Sequence, residues 1–574
     1  MKFFIVLLII SCIAFAQSPF DFLPYVEPPQ ETGGDVDSNQ VLERLWEFEG
    51  ELGDLNKKIY SISQRQDSLE ESIKRFEISG FASGKIAHFE LQGEKPRDFL
   101  GRELWQDQLE TKGTSSGNLA NQLTSLTLIG RPAPQIEVRG DLAATTIWGG
   151  ATVLSADNLA IMTNLDPVRT IAGIYYTSFT PLTLYYPVAE PWFESELFAN
   201  QRASLFGKQK LKAPKRRLEG VSGEINMDSF AGQGLLARVR TENDSAPYRF
   251  LTGVNLNLIP GEQNLVGLNW ISLKDDPKST GANITTSDLL GLNWQWRLWQ
   301  DLFFTGETVK SSYDYSLTDG LDPIVDLARV LELRWLKDEV ILQLRALDIG
   351  TYYFAPTSQS RDYRLSQRSI FGPETALTVD GVENENAIDS LFPYGLATPN
   401  RLGTQFRGYL SPKKGLRISL ELAKVQEKQA ASAYGETQVS SHRTKRNFTG
   451  LRLGGELDLR ELAILEKPLK VLGQIQTESI SRADDTATPQ NEELQLNSKS
   501  IDWGISYQLQ PAWSLMYGQK VKFQKGSIPN SLQTTVYGVE IKVSANTYLQ
   551  LNEEIVQGKN SEGQNYRGRQ SQLL

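Results

Sequence analysis

The sequence is poor in the residues that build metal and catalytic sites. It has one cysteine and two histidines among 574 residues. The cysteine, Cys12, lies in an N-terminal export signal, so the mature chain can form neither a disulfide nor a thiolate metal site. His88 and His442 are far apart in the sequence, and no H-E-x-x-H, G-x-S-x-G or P-loop pattern occurs. We therefore expect no enzymatic activity, no metal and no cofactor.

Long hydrophobic runs are also absent after the export signal. No later segment approaches the roughly 20 apolar residues that a transmembrane helix needs. If the mature chain enters a membrane, only a closed β-barrel can satisfy its backbone hydrogen bonds there. The net charge of −10 argues against a nucleic-acid partner.

The first 37 residues divide into two segments. Residues 1–16 form a signal peptide, with Lys2 before the apolar run Phe3–Ile10 and an A-x-A cleavage site at Ala14-Phe15-Ala16. A lipoprotein cleavage box ending at Cys12 is the alternative. Residues 17–37 are rich in proline and glycine, which favours a flexible linker.

Residues 38–76 carry a heptad pattern that predicts a coiled-coil helix. Its a positions are Leu45, Leu52, Ile59, Gln66 and Ile73. A single narrow apolar stripe with no neighbouring partner favours self-association, and a polar residue at one a position helps to fix the number of helices. We expect a homo-oligomer, most simply a trimer. The alternative is an amphipathic helix that lies on the barrel rim or plugs it.

Residues 77–574 alternate between apolar and polar residues in segment after segment. In Gly415–Lys428, Leu416, Ile418, Leu420 and Leu422 share one face, opposite Arg417, Ser419 and Glu421. A period of two indicates strands with one apolar and one wet face. Short and long connections also alternate, as in outer-membrane barrels. The sequence thus predicts an all-β transmembrane antiparallel barrel of roughly 18–20 strands, in contact with lipid.

Charged residues recur on the faces opposite the apolar rows. Facing lipid near the midplane, a charged side chain would cost roughly 2–4 kcal/mol, so these residues are expected to line a wet lumen. A narrow, closed, salt-bridged interior is the alternative. The pore-lining candidates are Arg297, Arg334, Arg345, Arg417, Glu421, Arg452 and Glu456.

One long connection, Phe179–Arg217, has an unusual charge distribution, with glutamates first and a basic cluster after them. Such a loop can fold into a barrel and set the width and charge of the pore. A solvated surface loop is the alternative. The constriction candidates are Glu190, Glu194, Lys212, Lys215, Arg216 and Arg217.

This order of segments, with the heptad helix running into Phe76–Phe81 at the start of the strands, resembles a bacterial outer-membrane porin that has an N-terminal coiled coil. The resemblance implies a trimeric channel for passive diffusion of small hydrophilic solutes, with the linker and coiled coil in the periplasm. The sequence departs from the family pattern at its end, because Leu574 replaces the usual terminal aromatic residue. Two other functions stay open: a non-conducting barrel that serves as an envelope structural or adhesion protein, and a soluble secreted β-rich protein.

Overall fold

The structure is a computed structural model, and a substantial part of the chain is described. The described residues are 76–93, 116–147, 152–185, 193, 216–239, 249–261, 263–275, 285–315, 323–358, 396–397, 399–429, 445, 447–482, 494–526, 530–544, 547–559 and 565–573. The signal peptide, the linker and the coiled coil up to residue 75 lie outside these ranges. Phe76, the last residue of the expected helix, is the first residue of the first strand.

The described residues form 22 strands. These are β1 Phe76–Gly93, β2 Ser116–Ala133, β3 Ile136–Ile147, β4 Thr152–Leu165, β5 Val168–Thr177, β6 Arg216–Met227, β7 Phe230–Val239, β8 Arg249–Leu258, β9 Leu265–Asp275, β10 Thr285–Arg297, β11 Leu302–Tyr315, β12 Ile324–Lys337, β13 Val340–Ile349, β14 Arg401–Lys413, β15 Leu416–Gln426, β16 Asn447–Asp458, β17 Leu469–Arg482, β18 Leu494–Gln510, β19 Trp513–Gly526, β20 Asn530–Ser544, β21 Thr547–Lys559 and β22 Asn565–Leu573.

The strands close into a single antiparallel barrel. Each strand pairs with the next in sequence, as β14 does with β15 and β15 with β16. β22 pairs with both β21 and β1, for example at Gln572 opposite Ala87, so the sheet has no free edge. Connections are short at one end, such as Asp338-Glu339 between β12 and β13, and include long ones at the other, such as residues 350–400. We call these the short-turn end and the long-loop end.

The distribution of side chains is the reverse of a soluble protein's. On β17, Ile475 is 52% exposed, whereas its neighbours Gln474 and Gln476 are each 8% exposed. On β18, Ile501 is 44% exposed and Asp502 only 2%. Because successive residues of a strand point to opposite faces, the outer face of these strands is apolar and the inner face polar. The expected alternation is confirmed.

The all-β antiparallel fold is confirmed, but the described sheet has more strands than the roughly 18–20 expected. β22 shows why, because its sequence NYRGRQSQL has almost no apolar periodicity and is defined by its pairing with β21 and β1. The bounds of the charged loop also need correction. Arg216 and Arg217 begin β6, opposite Thr177 and Tyr176, instead of ending the loop.

Among the described residues, no helix is long and apolar enough to cross a membrane.

Candidate functional site

The inner wall of the barrel carries paired charges on β12 and β13. Glu332 accepts hydrogen bonds from Nε and Nη2 of Arg345, at 3.0 and 2.8 Å. Arg334, two residues along the same face, brings its Nε within 3.8 Å of the same carboxylate. The side chains are only 11–17% exposed. Glu332 is therefore held between two guanidinium groups.

Glu421 on β15 repeats this arrangement between the two neighbouring strands. Its Oε1 accepts from Arg407 on β14 at 3.2 Å, and its Oε2 accepts from Arg452 on β16 at 3.3 Å. Arg452 also donates to Gln476 on β17, at 3.3 Å. The register explains this contact set, because Arg407, Glu421, Arg452 and Gln476 lie in direct succession across four strands.

A third pair lies nearer the short-turn end, where Arg417 on β15 donates to Glu456 on β16. The three groups together are called the interior ion-pair ladder, which contains Glu332, Arg334, Arg345, Arg407, Arg417, Glu421, Arg452 and Glu456. Six of the seven expected pore-lining residues belong to it. Its five guanidinium groups outnumber its three carboxylates, so the described wall carries excess positive charge.

Arg297, the seventh expected residue, lies apart from the ladder. It is the last residue of β10, and its guanidinium donates to the carbonyl oxygens of Trp299 at 3.2 Å and Gln300 at 2.6 Å. Its side chain therefore holds the β10–β11 turn at the short-turn end of the barrel.

The wall formed by β8, β9 and β10 is polar but uncharged. Asn255 donates to the side-chain oxygen of Asn269, and Asn269 donates to that of Asn293 at 2.7 Å. Gly267 leaves room for this row, because a Cβ there would lie 2.3 Å from the side-chain oxygens of Asn257 and Asn293. The interior thus has an amide wall and a charged wall.

The start of the charged loop lies inside the barrel. Leu182, Thr183 and Leu184 are completely buried. Glu307, an inward-facing residue of β11, accepts hydrogen bonds from the Thr180 hydroxyl and, at 3.3 Å, from the backbone N–H of Leu182. This carboxylate anchors residues 178–185, which we call the entering segment.

Glycines on the inner wall make room for this loop. A Cβ at Gly253 of β8 would lie 3.0 Å from the Phe179 ring, and one at Gly454 of β16 would lie 2.4 Å from Phe193. Phe193 also stacks on Tyr409 of β14, with the ring centroids 6.3 Å apart. The loop leaves the wall at β5 and reaches strands halfway round the ring, so it crosses the interior.

A second segment, Gly350–Ser358 after β13, packs against the entering segment. The Tyr353 hydroxyl donates to the carbonyl of Leu182 at 2.6 Å, and the hydroxyls of Thr357 and Ser358 donate to the carbonyls of Thr183 and Pro181. Burial, and secondarily the Glu307 carboxylate, raise the pKa of the Tyr353 hydroxyl well above its usual range, so it remains a donor. The two segments hold each other in place.

Several candidate residues cannot be placed. Glu190, Glu194, Lys212 and Lys215 lie outside the described residues, as do the heptad positions Leu45, Leu52, Ile59, Gln66 and Ile73. Arg216 and Arg217 lie in β6. Their roles stay predictions.

Sequence reasoning missed Glu332, Arg407 and Glu307. Alternation could have identified Glu332, because LELRW places it on the face of Arg334. Arg407 faces Glu421 across a short hairpin, so its register was also accessible. Nothing local marks Glu307, whose partner Thr180 lies 127 residues earlier.

No protein-family model and no curated protein sequence matches this chain. Solved structures that resemble it include Pseudomonas aeruginosa OpdQ (9% identity, 87% of this chain and 98% of that chain covered, TM-score 0.35) and P. aeruginosa OccK5, also called OpdH (9% identity, 86% and 97%, TM-score 0.33). A BenF-like porin from Pseudomonas fluorescens Pf-5 is also similar (8% identity, 86% and 98%, TM-score 0.34). TM-scores this low carry no argument about function.

Proposed function

We propose that this chain is a bacterial outer-membrane channel through which small hydrophilic solutes diffuse passively. The observation that carries the proposal is the reversed polarity of the closed sheet. Leu236 and Ile475 are 57% and 52% exposed on the outer face, whereas Glu478 and Asp502 are 4% and 2% exposed on the inner face. An apolar exterior suits lipid, and a wall of charges of both signs suits water.

The interior segments support a narrowed passage. The entering segment is fixed to β11 by Glu307, and Phe193 lies against β14 and β16, so the loop between them divides the interior. We assign the width of the passage to this loop and the second segment. Residues 38–76 would hold the chains as a trimer, with this helix and the linker in the periplasm.

The proposal also assigns charge selectivity. The interior ion-pair ladder has more guanidinium groups than carboxylates, and the basic cluster of the loop adds to them. A positive wall raises the local concentration of anions. Serine at Lys212, Lys215, Arg216 and Arg217 should shift the reversal potential in a salt gradient toward cation preference. The shift should grow at low salt, where screening is weak.

Planar-bilayer recording of the purified, folded chain tests the function directly. We expect ohmic current steps that heat denaturation of the sample abolishes, and we expect the chain to stay with the membrane after a carbonate wash. A chain that withstands the wash but gives no steps would favour the non-conducting envelope barrel, which the loop across the interior also fits. Loss of the chain in the wash would exclude both.

A further inference from the structure

The outer face of β19 and β21 has polar residues at a depth where other strands present apolar ones. Gln519 and Glu553 lie six residues from the short-turn ends of β19 and β21. Glu553 faces outward, because its neighbours Gln550 and Asn552 are buried and Leu551, two residues before it, is 45% exposed. The outward residues at the same depth on β6, β7, β12, β15 and β17 are Val221, Leu236, Leu331, Leu422 and Ile475, which are 41–57% exposed.

Hydrogen bonds join the polar side chains of this face. The indole N–H of Trp503 on β18 donates to Gln519 at 3.0 Å, and the Gln519 amide donates to Thr535 on β20 at 3.4 Å. Nearer the long-loop end, the Gln557 amide donates to Gln533 at 3.0 Å. The rings of Tyr517 and Tyr537 cover the same face, with centroids 5.2 Å apart. The polar face therefore extends over four adjacent strands.

The register continues this face into β22 and β1. Arg567 and Arg569 of β22 pair with Gln557 and Ile555, on the row that carries Glu553. Arg569 also pairs with Glu90 of β1. We call the outward positions of β19–β22 and the adjoining part of β1 the polar seam. The rows of this seam hold residues of both signs.

Lipid is a poor neighbour for such a surface. Acyl chains offer no hydrogen bonds, so amide, carboxylate and guanidinium groups at this depth are costly even when they bond to one another. Against another protein surface, the same groups gain partners and tyrosine rings gain packing. This inference rests on the proposed membrane location of the barrel, and it adds which face is turned away from lipid.

We propose that the polar seam is the contact surface between copies of this chain. Two observations favour a second copy over an unrelated partner. The seam carries both acidic and basic residues, so a copy of itself supplies complementary charges. The heptad segment, for which we expect self-association, ends at Phe76, where β1 begins, and β1 borders β22. Chains joined through that segment would turn their β1 and β22 sides toward one another.

Single-cysteine labelling of the folded, full mature chain tests the proposal, since that chain has no other cysteine. Glu553→Cys and Gln557→Cys probe the seam, and Leu422→Cys is the control at the same depth on β15. Each variant receives a bimane fluorophore and is reconstituted with brominated lipid. We expect several-fold weaker quenching at both seam positions than at residue 422. A short bis-maleimide should join two chains through the seam positions and not through residue 422.

Equal quenching at the three positions would overturn the proposal. Protection of the seam from lipid without chain-to-chain crosslinking would also overturn it, because another molecule would then occupy the face. Bilayer conductance of the same samples separates this failure from failure of the channel assignment. Conducting chains with a lipid-exposed seam would refute only the interface.

Discussion

Glu307 should control how firmly the loop is held inside the barrel. It is 6% exposed and accepts hydrogen bonds from the Thr180 hydroxyl and the Leu182 N–H. Hydrogen bonds to charged groups contribute about 1.5–3 kcal/mol each. Glu307→Leu removes both acceptors, so docking of the entering segment should weaken by about 3–6 kcal/mol. Glu307→Gln keeps one acceptor oxygen and should lose about half of that.

The loop should loosen without leaving the barrel. Leu182 and Leu184 are fully buried, and each contributes about 1.5–3 kcal/mol through its apolar side chain. We therefore expect intermittent opening of the segment. In single-channel recordings, Glu307→Leu should show added current fluctuations and a larger mean conductance than the parent. Glu307→Gln should lie between them.

Glu478→Gln is the matched control for this experiment. Glu478 is an inner-wall carboxylate that is 4% exposed, and it accepts a hydrogen bond from Gln476 on its own strand. Its neutralisation should leave the current fluctuations unchanged. If Glu307→Leu gives the same traces as the parent, or if Glu478→Gln reproduces its effect, the anchoring role of Glu307 is wrong.

Three further variants test other parts of the barrel. Gly454→Leu should displace Phe193 and change conductance while leaving heat-modifiable migration intact; unchanged conductance would show that Phe193 does not limit the passage. Leu422→Arg should destabilise the barrel by about 2–4 kcal/mol in urea unfolding, because Leu422 is outward and 44% exposed, whereas Ala423→Arg on the inner face should cost much less. Equal costs would mean that the faces are reversed. Deletion of residues 41–75 should leave a folded barrel of smaller native mass in detergent, and an unchanged mass would contradict the coiled-coil assignment.

The barrel could be predicted because its signal is local. In β15, the row Leu416, Ile418, Leu420 and Leu422 shows its lipid-facing side within seven residues. A closed sheet follows from many such strands, since each backbone group in a membrane needs a partner. The strand number was less accessible. A strand such as β22, held by two neighbours, needs little apolar pattern of its own.

The interior ion-pair ladder was partly predictable for the same reason. Arg407 and Glu421 meet across one hairpin, and Arg452 meets Glu421 across the next strand pair. The contacts of the loop were not predictable. Thr180 and Glu307 are separated by 127 residues, and Tyr353 and Leu182 by 171. No periodicity records which wall a loop will reach, because that depends on the closed ring bringing distant strands into one interior.

The ladder and the loop together explain how the passage could discriminate between solutes. Guanidinium groups stay charged at any physiological pH, so the positive excess of the ladder is permanent. In 0.1 M salt its field fades over about 10 Å, and in a wide lumen most ions would pass beyond that range. Phe193 lies on Tyr409, one hydrogen-bonded row from Arg407 and Glu421, so the loop brings the passage close to the ladder. The loop therefore does more than reduce the width, since it keeps solutes within reach of the fixed charge.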